Sequence, residues 1–330
     1  MPRQSRPIPR RDFLRTSAGI ALLPYLPGGF FVPAARRRSR VVVVRTSDRR
    51  VGVTEGIRLF DPAGIAGKRV VLKPNLNSAD PAPASTHPDT LGQLVTELHE
   101  RDARSVTLGE SSGPSGTRHV MEQYGVLDLA TALRFDVVDL DELPDADWIP
   151  FHARGTHWPA GYHLPRLVTD AEYVVSTCCL KTHGYGGVFT MSLKLAVGLT
   201  PRPIRRSMHR SPDMRRMIAE LNAGYRPRLV VLDGVSAFTD GGPSSGEQKA
   251  GNVVIVGDDR VAVDAVGLAV LKDLGANDAI MSRGIWAQEQ LARAVELNLG
   301  ARGPGDIELV TGDAASRAYV TRLERILAAG

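Results

Sequence analysis

Cysteine is almost missing from this 330-residue chain: Cys178 and Cys179 are the only two, and they are neighbours. An adjacent pair cannot supply the disulfide framework on which small secreted domains depend. Both lie late in an apolar run that reads as a buried strand, where successive side chains point to opposite faces. They are expected to pack there as small apolar residues rather than to carry redox chemistry. Long apolar runs are missing as well. The stretch from Ile20 to Phe31 is broken by proline and glycine and falls short of the roughly 20 residues a membrane-spanning helix needs, so no stable transmembrane span is expected. There is no internal repeat and no low-complexity run. No dinucleotide or P-loop glycine fingerprint occurs. The Gly-x-Ser-x-Gly spacings at Gly109 through Gly113 and Gly242 through Gly246 are read as Gly/Ser turns rather than nucleophile elbows, and hydrolysis by a nucleophilic serine is not expected.

Positive charge is plentiful only at the start. The whole chain carries a formal +5, but residues 1–40 hold nine arginines against one acid, Asp12, which is +8 and leaves −3 for everything after. A folded domain with that balance is not expected to bind nucleic acid. Residues 1–35 read as a signal segment: Arg10-Arg11-Asp12-Phe13-Leu14-Arg15 fits the twin-arginine pattern, and Val32-Pro33-Ala34 offers a small-residue cleavage site. This predicts export to the periplasm or cell envelope with the twin-arginine translocation machinery as a partner, the segment being either cleaved or kept as an anchor. Proteins on that route fold before crossing, often with a cofactor loaded. Residues 36–330 then form a single domain.

Eight strand-like runs follow: Val41 to Val44, Val70 to Lys73, Val106 to Glu110, Val137 to Leu140, Tyr173 to Cys179, Leu229 to Asp233, Val253 to Gly257 and Ile307 to Val310. Helical spacing appears between several of them, clearest after His87-Pro88-Asp89, where Leu91, Leu94, Val95 and Leu98 make one apolar face. Further helices are predicted at 115–124, 192–199, 213–222, 261–274, 285–297 and 316–328. Strands alternating with helices predict an α/β fold, a mostly parallel sheet with helices on both faces in a Rossmann-like layered arrangement. Residues 140–166 read as a long irregular excursion. The spacing of His152, His157 and His163 within it fits no standard helical metal site, and no metal site is predicted.

Four of the apolar runs end on an ionisable residue: Lys73, Glu110, Lys181 and Asp233. Ligands of open α/β sheets sit outside the carboxyl ends of the strands, so these residues should converge on one pocket. Lys73-Pro74-Asn75, Lys181-Thr182-His183 and Ser192-Leu193-Lys194 would bring three ammonium groups to it, and their repulsion calls for an anionic ligand or a carboxylate such as Glu110. Two Gly/Ser turns, Glu110 through Gly116 with Ser111 and Asp240 through Gly246 with Gly242, could add backbone N–H donors. Pro201 through Pro212 is read as a basic loop, either a lid over an acidic ligand or simply solvated.

Lys-Pro-Asn after an apolar run, Lys-Thr-His ahead of Ser-Leu-Lys, and Val-Leu-Asp-Gly (231–234) before Gly242-Pro243 and Gly246 together resemble the family named domain of unknown function 362, in order from about Val41 to Leu274. That resemblance implies a fold and a pocket but no defined reaction, and it aligns His209 with a histidine that recurs after the Ser-Leu-Lys helix. Some relatives carry ferredoxin-like cysteine clusters; two cysteines cannot ligate one, so no iron–sulfur cluster is expected on this chain. The family usually has Asn after the Ser-Leu-Lys lysine, where this chain has Leu195. The lactate racemase family, whose α/β pocket uses lysine and histidine with a cofactor, is an analogy of fold only.

The reading is therefore an exported enzyme acting on an anionic small molecule or anionic cofactor. Lys181, His183, Glu110 and His209 are the catalytic candidates. Lys73, Asn75, Ser111, Ser192, Lys194, Asp233 and Gly242 are the ligand-binding candidates. The cofactor itself is not named by the sequence. The alternatives are a non-catalytic exported anion-binding protein and an electron-transfer accessory to an iron–sulfur partner.

Overall fold

Val41 and Val43 face one apolar layer and Val42 and Val44 another, all four buried, and this two-residue alternation recurs along most of the central strands. A strand covered on both sides has no polar face, which is why the sheet strands read as unbroken apolar runs. The computed structural model describes residues 38–113, 115–152 and 154–330, and these described residues form one compact unit. The predicted signal segment, residues 1–35 with Arg10 and Arg11, lies outside the described residues.

The strands are β1 (Ser39–Arg45), β2 (Arg69–Lys73), β3 (Ser105–Glu110), β4 (Asp136–Asp139), β5 (Trp148–Phe151), β6 (Tyr162–Pro165), β7 (Tyr173–His183), β8 (Val188–Thr190), β9 (Leu229–Gly241), β10 (Gly246–Ala250), β11 (Val253–Gly257) and β12 (Ile307–Val310). The main sheet runs β12-β1-β11-β9-β7-β2-β3-β4, with β8 paired to β7 and β10 to β9. Along that path only β11 runs against its neighbours, so the sheet is mostly parallel, as predicted. The helices Arg49–Phe60, Pro88–Glu100 and Val126–Leu133 cover one face. Arg260–Asp273, Glu289–Glu296 and Ala314–Ala329 cover the other. No helix among the described residues is long and apolar enough to cross a membrane.

Three expectations change. The excursion at 140–166 contains the β5–β6 hairpin, whose Phe151 and Tyr162 rings stack at 5.2 Å and close a third apolar cluster with Trp158. The Pro201–Pro212 stretch is not a loop: Arg202–His209 is a helix, because Pro201 precedes it as N-cap and Pro203 falls in its first turn, where a missing N–H costs nothing. Ser192 to Leu199 forms a 3-10 helix over Leu193–Leu199.

The overrun of β7 matters most for the site. β2 ends with Lys73 beside Ser176, but β7 continues to His183 by pairing with β8, Lys181 opposite Thr190. Lys181 and His183 thereby stand beyond the rim that Lys73 marks.

Candidate functional site

Lys73 and Glu110 close adjacent parallel strands, and their side chains meet as a buried ion pair, Nζ to Oε1 2.6 Å, each side chain 2% exposed. Glu110 also accepts the N–H of Ser111 (2.8 Å) on Oε1 and that of Leu76 (2.9 Å) on Oε2, while Lys73 donates a second bond to the Pro74 carbonyl. Burial lowers the Lys73 pKa and Glu110 opposes it. Gly198 presses on this pair: a Cβ there would lie 2.8 Å from Glu110 Oε1 and 3.0 Å from Lys73 Nζ. The pair forms part of the wall of a cavity of about 700 Å³.

Lys181, fully buried, donates to the carbonyls of Ala84 and Pro243. Lys194 enters from the 3-10 helix, whose first turn is pinned by Asp264 accepting the N–H groups of Ser192 (2.7 Å) and Leu193 (3.0 Å). Its side chain is buried, yet no described residue accepts from its Nζ, and burial together with the Lys181 and Arg205 charges lowers its pKa to about 7. At that value a large fraction of the amine is uncharged at neutral pH.

Two imidazoles flank these amines. His183 accepts the N–H of Gly187 on Nδ1 at 3.2 Å, which leaves Nε2 to carry its hydrogen. Burial, then the charges of Lys194, His209 and Lys181, push it down to about 2, so it is neutral. His209 places Nδ1 2.7 Å from the Arg205 carbonyl, so Nδ1 carries the hydrogen and Nε2 is free to accept one. Partial burial lowers its pKa, against that hydrogen bond. The cavity thus holds one imidazole set as a donor and one set as an acceptor.

The helix Arg202–His209 supplies the rest of the basic wall. Arg205 is buried and donates to the carbonyls of Ser111 (2.8 Å) and Ser112 (2.9 Å), clamping the turn after β3. Arg202 pairs with Asp141 at 2.7 Å, and Asp141 also accepts from Ser111 and Thr117. Arg206 and Arg210 line the cavity and are exposed. Seven Lys and Arg side chains therefore line it against one carboxylate, Glu110. After the Lys73–Glu110 pair and the two arginines on Asp141 are set aside, Lys181, Lys194, Arg206 and Arg210 have no acidic partner among the described residues.

Of the residues predicted from sequence, Lys73, Asn75, Glu110, Ser111, Lys181, His183, Lys194 and His209 line this one cavity. Asn75 also ties its loop through Nδ2 to the Ala84 carbonyl at 3.0 Å. Asp233, Ser192 and Gly242 do not line it. The Asp233 carboxylate is taken by Arg49 (2.8 Å) and by the Thr90 hydroxyl (2.6 Å). Ser192 serves through its backbone bond to Asp264. Gly242 has φ +76° and lies so close to the Thr182 carbonyl that a Cβ would approach it to 2.1 Å, which makes it a packing position beneath the β7–β8 turn. Asn77 and Tyr185 were not singled out, and Arg202, Arg205, Arg206 and Arg210 were read only as part of the basic Pro201–Pro212 stretch. The spacing of Arg202, Arg205, Arg206 and His209, three, four and seven residues on from the first, is that of one helix face and could have identified most of them.

Fold and cavity define an α/β protein with a cationic pocket at the carboxyl edge of its sheet. Residues 70–269 match the family described as domain of unknown function (DUF362), and the chain belongs to that family. It is similar to the thylakoid-associated protein sll1697 of Synechocystis sp., 26% identical over 254 residues that span 73% of this chain and 74% of that protein. Among solved structures, the lactate racemase apoprotein from Thermoanaerobacterium thermosaccharolyticum aligns with a TM-score of 0.43 and 15% identity over 89% of this chain and 88% of that one. A protein from Thermotoga maritima aligns with a TM-score of 0.43 and 11% identity over 68% and 56%.

Proposed function

We propose that this chain is an enzyme acting on an anionic small molecule, or with an anionic cofactor, held in the cavity. The observation that carries the reading is the set of four cationic side chains, Lys181, Lys194, Arg206 and Arg210, that line one cavity without a carboxylate partner among the described residues. Of these, Lys181 and Lys194 are buried, where a cation without a counter-ion is costly, and a bound carboxylate or phosphate would relieve that cost. Catalysis, beyond binding, is supported by the two neutral imidazoles: His183 offers a hydrogen on Nε2 and His209 a lone pair on Nε2, a donor and an acceptor for moving a proton on the ligand. Lys73 and Glu110 set the wall against which the ligand rests, and Asn75 and Ser111 orient it. We also propose that Arg10-Arg11 directs export through the twin-arginine machinery.

The test is thermal unfolding of the full chain in phosphate, in pyruvate and in chloride at matched ionic strength. A ligand present at a hundred times its Kd stabilises the folded state by about 2.7 kcal/mol. Phosphate or pyruvate should raise Tm above chloride, and Lys194→Met should lose most of that rise while keeping its Tm in chloride. Equal Tm in all three salts would refute the anion site. Transfer of deuterium from D2O into the bound organic anion, lost in His209→Asn, is the readout for catalysis.

A further inference from the structure

The three cavity lysines are not equivalent. Lys73 is saturated by Glu110 and the Pro74 carbonyl, and Lys181 by the carbonyls of Ala84 and Pro243. Lys194 Nζ meets no acceptor among the described residues, although its side chain is buried and lines the cavity. Its stem is nonetheless held in place. Asp264 fixes the start of its helix, and the turn after β7 packs so tightly on it that a Cβ at Gly187 would come within 3.1 Å of Lys194 Cε. A fixed, desolvated amine that no protein group uses is what covalent chemistry at a carbonyl carbon requires.

We propose that Lys194 forms an imine with its ligand, so that the ligand class narrows to aldehydes and ketones that carry a carboxylate or a phosphate. This rests on the anion site proposed above. The lone pair of the neutral amine attacks the carbonyl carbon, a C–N bond forms, and the π pair moves to oxygen. His209 Nε2 takes a proton from the new ammonium and passes it to the alkoxide, giving the carbinolamine; the nitrogen's second proton is passed to the hydroxyl in the same way, the C–O bond breaks, water leaves and the nitrogen lone pair closes the C=N bond. One amine and one carbonyl give one imine and one water, with no net oxidation. Lys181, Arg206 and Arg210 hold the anionic end, and burial, with the charges of Lys181 and Arg205, keeps the attacking amine from being locked as an ammonium.

The experiment treats the full chain with glyoxylate, pyruvate or glyceraldehyde 3-phosphate in the presence of cyanoborohydride, with and without excess inorganic phosphate, and maps the reduced adducts by peptide mass spectrometry. The remaining lysines, Lys68, Lys249 and Lys272, lie outside the cavity and report background labelling. The expected result is labelling of Lys194 at least tenfold above these, suppressed by phosphate. The carboxylate and phosphate arms distinguish which anionic end the site prefers. Lys194→Met should label only at background positions. Background labelling alone in a wild type that phosphate or pyruvate still stabilises overturns the imine and leaves the anion site standing. Labelling at Lys181 instead overturns the assignment to Lys194. Neither labelling nor anion stabilisation overturns both.

Discussion

Replacing Glu110 by Gln should destabilise the protein far more than replacing its partner, Lys73, by Met. Glu110 carries three bonds, from Lys73 Nζ at 2.6 Å, Ser111 N–H at 2.8 Å and Leu76 N–H at 2.9 Å. Gln keeps the shape but removes the charge, leaving a fully buried ammonium with no counter-charge. Its amide NH2 must also face one of three donors, which leaves that donor unpaired. Breaking a buried pair in this way costs about 3–5 kcal/mol, with the orphaned donor included in the upper part of that range. In Lys73→Met the carboxylate retains both backbone N–H donors and the thioether fills the stem's volume, so about 1–3 kcal/mol is expected. The double variant removes both charges and should be at least about 2 kcal/mol more stable than the sum of the singles predicts. At about 2 °C per kcal/mol for a chain of this size, Glu110→Gln should lower Tm by about 6–10 °C. Urea denaturation of the three variants supplies the cycle. A loss below about 1 kcal/mol for Glu110→Gln, or strict additivity in the double, would refute the picture of a desolvated pair as the cavity wall.

Three further outcomes are expected. His183 titrates near 2 when folded against an ordinary 6.5, so the unfolded chain binds an extra proton between those values and stability must rise with pH across that window. His183→Gln should flatten the fall in stability between pH 7 and pH 4 in denaturant titrations, and an unchanged slope would contradict a neutral buried imidazole. Gly198→Ala puts a methyl against Glu110 and Lys73 and should cost about 1–3 kcal/mol through overpacking, read as a lower urea midpoint; no change would mean the wall yields freely. Lys at both Arg10 and Arg11 should leave folded protein in the cytoplasm when cell fractions are compared, whereas normal export of that variant would end the twin-arginine proposal.

The sheet was legible because strands buried on both sides leave a plain record: every predicted run, from Val41–Val44 to Ile307–Val310, corresponds to a strand. The helix Arg49–Phe60 left a weaker record. Its Gly52 and Gly56 lower helix propensity, but they are required because a Cβ would come within 2.4 Å of Val254 and 2.6 Å of Val256. Residues at strand ends were legible as a group, and Lys73, Glu110 and Lys181 do share a cavity. Position at an edge does not reveal a partner, however. Asp233 is claimed by Arg49, 184 residues earlier, a pairing created only by folding. The continuation of β7 through Lys181-Thr182-His183 was hidden for a related reason, since its polar residues look like loop until the three-residue β8 pairs with them.

Thirteen of the 22 residues lining the cavity fall between Lys181 and Arg210, a single unbroken stretch of chain. Lys73, Glu110 and their neighbours give that stretch something to rest on, while the two large apolar layers on either side of the sheet are built mostly by other segments. Such a layout behaves as a cassette. A graft of that one contiguous peptide that keeps its core positions, among them Phe189, Met191, Leu193, Ala196 and Leu199, would retune what the pocket accepts without collecting point changes from scattered loops.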